Sequence, residues 1–212
     1  MKKHLIIAAF LANIILIALH FSFGERFDLF HLDRERTFAA YYSGLQLFAV
    51  AAGGVVLTWL SRGRFLKYGW ALFSSVFIFL GFDEISELHE NITYYALTYG
   101  ASIFNSTLLP FSGSTYNWLI IFSPFIVSAI IFFVMWAVRI PHRMARIYFS
   151  IGAALFVAAI GLELGGGFVK ASPIPLFVIE EASELFGSTF FLLSVWNYAL
   201  MLFFKQFERK QV

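Results

Sequence analysis

The chain has 212 residues, of which 60% are hydrophobic and 13% charged, against about 25% charged in soluble domains. With 28 Phe it carries more aromatic surface than a water-soluble core of this length can hide, so a soluble globular domain is excluded. It contains no Cys, which removes disulfides, thiolate metal sites and cysteine nucleophiles, and its +2 net charge matters less than where the charges fall.

Six apolar segments are long enough to cross a hydrocarbon core, which takes about 20 helical residues. They run over residues 5–23, 38–60, 68–91, 116–140, 147–169 and 176–204. The expected fold is therefore an all-α membrane protein, a single six-transmembrane-helix bundle. The first segment follows Met1-Lys-Lys-His, but its apolar run is too long for a signal peptide and no small-x-small cleavage site follows, so it reads as an uncleaved anchor.

Orientation comes from Lys and Arg. Lys2, Lys3, Arg62, Arg64, Lys67, Arg139, Arg143, Arg146, Lys205, Arg209 and Lys210 fall on one side, and Arg26, Arg34, Arg36 and Lys170 on the other; eleven plus four accounts for all 15. Both termini are expected to be cytoplasmic. Of the 13 Asp and Glu, only Glu208 then lies inside; the rest occupy the extracytoplasmic loops or helix ends.

The first outer loop holds Asp28 and Asp33-Arg34-Glu35-Arg36. The third helix exits through Gly81-Phe-Asp-Glu-Ile-Ser-Glu-Leu-His-Glu-Asn91. On a helix, Asp83, Glu87 and Glu90 fall within about 60° of one another, with Glu84 and Asn91 flanking and His89 turned away. A helix C-terminus is the wrong end for negative charge, so carboxylates crowded there need a cation or shared protons. The loop from Ile92 to Thr115 carries no charged residue and reads as a lid across the bundle mouth.

Glu163, in Gly161-Leu-Glu-Leu-Gly-Gly-Gly167, is expected to lie deeper than the other acids, with Lys170 two turns on along the same face. Glu180, Glu181 and Glu184 open the sixth helix after Pro173-Ile-Pro175, and Gly187 shares their face. Taken alone these are ordinary partners of a helix N-terminus; beside the third helix they supply the second half of a ligand set. Asp83-Glu-Ile-Ser-Glu-Leu and Glu180-Glu-Ala-Ser-Glu-Leu share one pattern. An inverted three-plus-three repeat would put the second copy at the inner end, so convergence on one extracytoplasmic site is the better reading.

Asp83, Glu84, Glu87, His89, Glu90, Glu163, Glu180, Glu181 and Glu184 thus form a candidate set of metal ligands lining a polar cavity at the extracytoplasmic side. Oxygen donors with at most one or two imidazoles suit Mg, Ca, Mn, Fe or Zn. No Glu-x-x-His pair is present, so a ferritin-type di-iron site is only a loose analogy. Walker A, HExxH, GxSxG and dinucleotide-binding patterns are also absent, and the inner basic residues read as topology signals with no nucleic-acid patch.

The Asp-Glu-x-x-x-Leu-His-Glu at 83–90 and the Glu-Glu-x-x-Glu-x-x-Gly at 180–187 resemble motifs of a group of uncharacterised six-helix membrane proteins of bacteria and archaea. Leu32-Asp-x-Glu35 and Gly-Leu-Glu at 161–163 are similar as well. The resemblance covers nearly the whole chain and implies a prokaryotic plasma-membrane location. It implicates Asp83, Glu84, His89, Glu90, Glu163, Glu180, Glu181 and Glu184, and leaves Glu87 at an open position.

Three functions are compatible with this pattern. The first is a metal-dependent enzyme acting on a lipid or other amphiphile, with Glu90 or Glu184 as general base, His89 as ligand or acid, and Lys170 or Arg34 clamping an anion. The second is a cation binder or transporter; the inner halves of helices three to six offer mainly Ser74, Ser75, Ser128, Ser150 and Asn197, which is thin for an ion path. The third is a structural or sensory partner within the membrane.

Overall fold

The computed structural model describes residues 2–24, 26–32, 37–86, 88, 91, 92, 95, 117–166 and 175–208. Among these the protein is all-helical. Six helices follow in order: α1 (Lys2–Leu19), α2 (Phe38–Leu60), α3 (Arg64–Ser86), α4 (Asn117–Ala137), α5 (Arg143–Gly166) and α6 (Leu176–Glu208). A π-helical turn, His20–Gly24, continues α1, and a short 3-10 turn, Asp28–Phe30, lies between α1 and α2.

Five helices are long and apolar enough to cross a membrane: Ile6–Gly24, Phe38–Leu60, Arg64–Ser86, Arg143–Leu162 and Leu176–Lys205. In α4 the described apolar stretch, Ser123–Ala137, is shorter. The helix starts differ from the apolar segments for a simple reason. α3 begins at Arg64 and α5 at Arg143 because a basic side chain can join the first turn and still reach water. A hydropathy pattern discards such residues although the backbone keeps them.

Local chemistry sets the boundaries. Thr37 caps α2, its hydroxyl accepting from the Ala40 N–H at 3.2 Å. Gly63 turns the chain from α2 into α3 with φ of 93°, which a residue with a side chain adopts only at a cost. His142 caps α5, its Nδ1 accepting from the Ala145 N–H at 3.1 Å.

The most extensive pairings are α5 with α6 and α2 with α3; α6 also packs along α2 and α1, so it is the central helix. Lipid tails are as apolar as Leu, so helix association here rests on close packing and interhelical hydrogen bonds. Packing is concentrated in an aromatic cluster in the half nearer the basic turns. Trp70, Phe73, Trp136, Phe149, Phe191 and Tyr198 are all buried in it. Trp70 and Trp136 meet edge to face at 4.5 Å, the geometry that ring quadrupoles favour. Gly69 makes room for this contact, since a Cβ there would strike the Trp136 indole. Through Trp136 and Phe133 this cluster ties α4, which otherwise touches α3 and α5 only lightly, to the rest.

Candidate functional site at the acidic end

Three phenylalanines at the acidic edge of the aromatic core fix how α3, α5 and α6 stand relative to one another. Phe77 and Phe191 have ring centroids 4.9 Å apart, Phe156 and Phe191 5.5 Å, and Phe77 and Phe156 6.3 Å. Seven residues are within about 20° of two full helical turns and rise about 10 Å. Seven residues beyond the rings, toward the acidic end, come Glu84 on α3 (77 + 7), Glu163 on α5 (156 + 7) and Glu184 on α6 (191 − 7). Glu84 and Glu184 therefore stand at one level above the Phe77–Phe191 pair, but Glu163 does not. Gly152 meets Gly187 backbone to backbone, so Glu163, eleven residues beyond Gly152, lies about 12 Å farther out than Glu184, three residues beyond Gly187.

This register changes the reading of Glu163. From its glycine-rich surroundings it looked deeper than the other acids, but its backbone lies about 12 Å beyond Glu184, toward the acidic end. The apparent depth came from counting along one apolar segment without knowing where its neighbours met it.

Asp83, Glu84, Glu180, Glu181 and Glu184 are all half-buried, and each makes an interaction of its own, so none is an isolated charge. Among the described residues, no three His, Asp or Glu side chains come together closely enough to hold one metal ion. Glu87, His89, Glu90, Lys170 and Arg34 lie outside the described residues, as does nearly all of the Ile92–Thr115 segment; of Glu163 only the backbone is described.

Two polar features near this end were not picked out from the sequence. The first is a pair of imidazoles. His20, in the π-helical turn, accepts from the Leu32 N–H at 3.3 Å through Nδ1 and meets the His31 ring at 4.9 Å. His31 stacks on Phe177 at 5.6 Å. Both line a cavity of about 540 Å³ with Arg26, Pro175 and Phe177, one helical turn before Glu180. Such π turns are frequent at functional sites. The sequence signal was His20 and His31 on either side of Gly24, where the first apolar run breaks.

The second is a buried network that joins α1, α2 and α6 one to two turns below Glu184. The Asn13 Nδ2 group donates to the Leu185 carbonyl at 3.1 Å and to the Thr189 hydroxyl at 3.0 Å. The Gln46 Nε2 group reaches Asn13 Oδ1 at 3.3 Å, the Tyr42 hydroxyl at 2.8 Å and Thr189 Oγ1 at 3.1 Å. Asn13 is fully buried, and Thr189 nearly so. In an apolar setting such groups must find partners, and here they find them across three helices.

Among the described residues, an all-helical architecture with five membrane-length apolar helices and a polar, acidic end defines a multi-pass membrane protein. The chain belongs to the family described as domain of unknown function (DUF8692), which matches residues 5–198. No curated protein and no solved structure matches it.

Proposed function

We propose that the acidic end binds a divalent cation through carboxylates of α3, α5 and α6, and that the bound ion serves a reaction on a lipid or other amphiphile. The observation that carries this reading is the common level of Glu84 on α3 and Glu184 on α6 above the Phe77–Phe191 pair, with further acids toward the same end. Carboxylates gathered over an apolar floor repel one another, and a hard cation relieves that repulsion. Glu87, His89 and Glu90, three to six residues beyond Glu84 in the sequence, are the residues that would complete a ligand set. An ion held there would polarise a phosphoryl or acyl oxygen, with Glu90 or Glu184 as the base and Lys170 as the anion clamp.

Transport across the membrane is the weaker reading. Toward the basic end, the space between α2, α3, α5 and α6 is filled by aromatic rings. Two of the polar residues there spend their hydrogen bonds within their own helices: Ser74 on the Trp70 carbonyl at 2.8 Å, Asn197 on that of Leu193 at 2.8 Å. Neither is left to replace an ion's hydration shell.

The test is metal content by mass spectrometry on detergent-purified protein, measured after exposure to Mg, Ca, Mn, Fe and Zn in turn. Wild type is compared with Glu84→Gln and Glu184→Gln. Losing an outer-shell partner costs roughly 10–100-fold in metal affinity, and losing a ligand at least as much. A stoichiometric ion retained by wild type and lost from both variants supports a site shared by α3 and α6. A wild type that retains none of the five metals ends the proposal.

A further inference from the structure

We propose that the opposite, basic end carries a binding site for an anionic glycerophospholipid. A cleft of about 220 Å³ lies between the α2–α3 turn, the turn joining α4 to α5, and the last turns of α6. Its walls are apolar, with Leu60, Leu66, Met201 and Leu202 among them. Arg62 and Lys205 also line it, from two different helix ends, and both side chains are exposed. Among the described residues, no acidic side chain lines the cleft.

Charge and shape select the occupant together. Two cations over an apolar cleft at the end of membrane-crossing helices present a phosphate site and an acyl-chain site in one place. Basic pockets of this kind between transmembrane helices hold anionic lipid headgroups. A free phosphate would satisfy Arg62 and Lys205 but leave the Leu and Met walls bare. A zwitterionic lipid would cover the walls but bring its own cation toward the two already there.

The measurement is native mass spectrometry of the delipidated full-length protein, titrated with short-chain phosphatidylglycerol, short-chain phosphatidylcholine and glycerol 3-phosphate. Each interfacial cation contributes about fivefold in affinity for an anionic lipid. The Arg62→Gln/Lys205→Gln double variant is therefore expected to bind phosphatidylglycerol roughly 25-fold more weakly than wild type. Lys67→Gln/Arg143→Gln removes two exposed cations from the same end outside the cleft lining, and should keep wild-type affinity. Equal loss in both double variants would mean diffuse charge with no site. Equal binding of phosphatidylcholine, or of glycerol 3-phosphate without acyl chains, would overturn the proposal as well.

Discussion

Gly152 of α5 and Gly187 of α6 meet backbone against backbone. A Cβ at Gly152 would lie 3.0 Å from the Gly187 carbonyl oxygen, and a Cβ at Gly187 would lie 3.3 Å from that of Gly152. Neither neighbour can yield by rotating a side chain, because both are main chain. The contact lies one turn from Glu184 on α6, so it helps to set the spacing of two carboxylate-bearing helices. Helices without a hydrophobic drive to associate depend on such close approaches.

Gly152→Ala is accordingly expected to lower thermal stability by about 1–3 kcal/mol, the usual cost of overpacking. Under the cation-site proposal it also weakens metal binding, although no carboxylate has been changed. Thermal unfolding in detergent and metal retention are both read on the one variant. A Gly152→Ala protein as stable as wild type would show that the helices separate at no cost.

The Asn13–Gln46–Thr189 network makes a different prediction. Interhelical hydrogen bonds in membranes average about 0.6 kcal/mol and reach roughly 2 kcal/mol. Asn13→Ala strips partners from Gln46, Thr189 and the Leu185 carbonyl together, so a loss of about 1–2 kcal/mol is expected. Asn13→Ala and Thr189→Ala should combine sub-additively, since each removes a bond that the other shares. Strict additivity in a double-mutant cycle would show that α1 and α6 are not coupled through these side chains.

Helix number and the gathering of acids at one end were legible because both depend on composition along a single segment. Lateral pairing was not. That Phe77, Phe156 and Phe191 share one contact depends on three helices at once, and a chain with 28 Phe offers no way to single out those three. Once the contacts are known, the common level of Glu84 and Glu184 follows by counting seven, and the outward offset of Glu163 follows from the Gly152–Gly187 contact. Asn13 and Gln46 were visible as lone polar residues in apolar runs, but attention to the inner halves of helices three to six passed over both. The π-helical turn at His20–Gly24 left no pattern at all, because it is a local departure from the α-helical period that the reading assumed.

Ser188 offers a test with the opposite sign. Its hydroxyl is fully buried, one turn from Glu184, and has no hydrogen-bond partner among the described residues. Burying an unpaired hydroxyl costs free energy that folding must offset. Ser188→Ala is therefore expected to leave stability unchanged or raise it by up to about 1 kcal/mol. A clear drop in melting temperature would reveal a partner for this hydroxyl in the membrane.

The absence of Cys makes membrane orientation directly measurable, because any single introduced thiol is the only one in the chain. Phe27 lies at the acidic end and Arg143 at the basic end, both exposed. The Lys and Arg distribution predicts a cytoplasmic basic end. A membrane-impermeant maleimide added to intact cells should then label Phe27→Cys, and should label Arg143→Cys only after permeabilisation. The reverse pattern would turn the carboxylates toward the cytoplasm and replace an extracytoplasmic amphiphile with an intracellular one. It would also put Arg62 and Lys205 in the opposite leaflet, where the lipid-site proposal would have to find its anionic lipid.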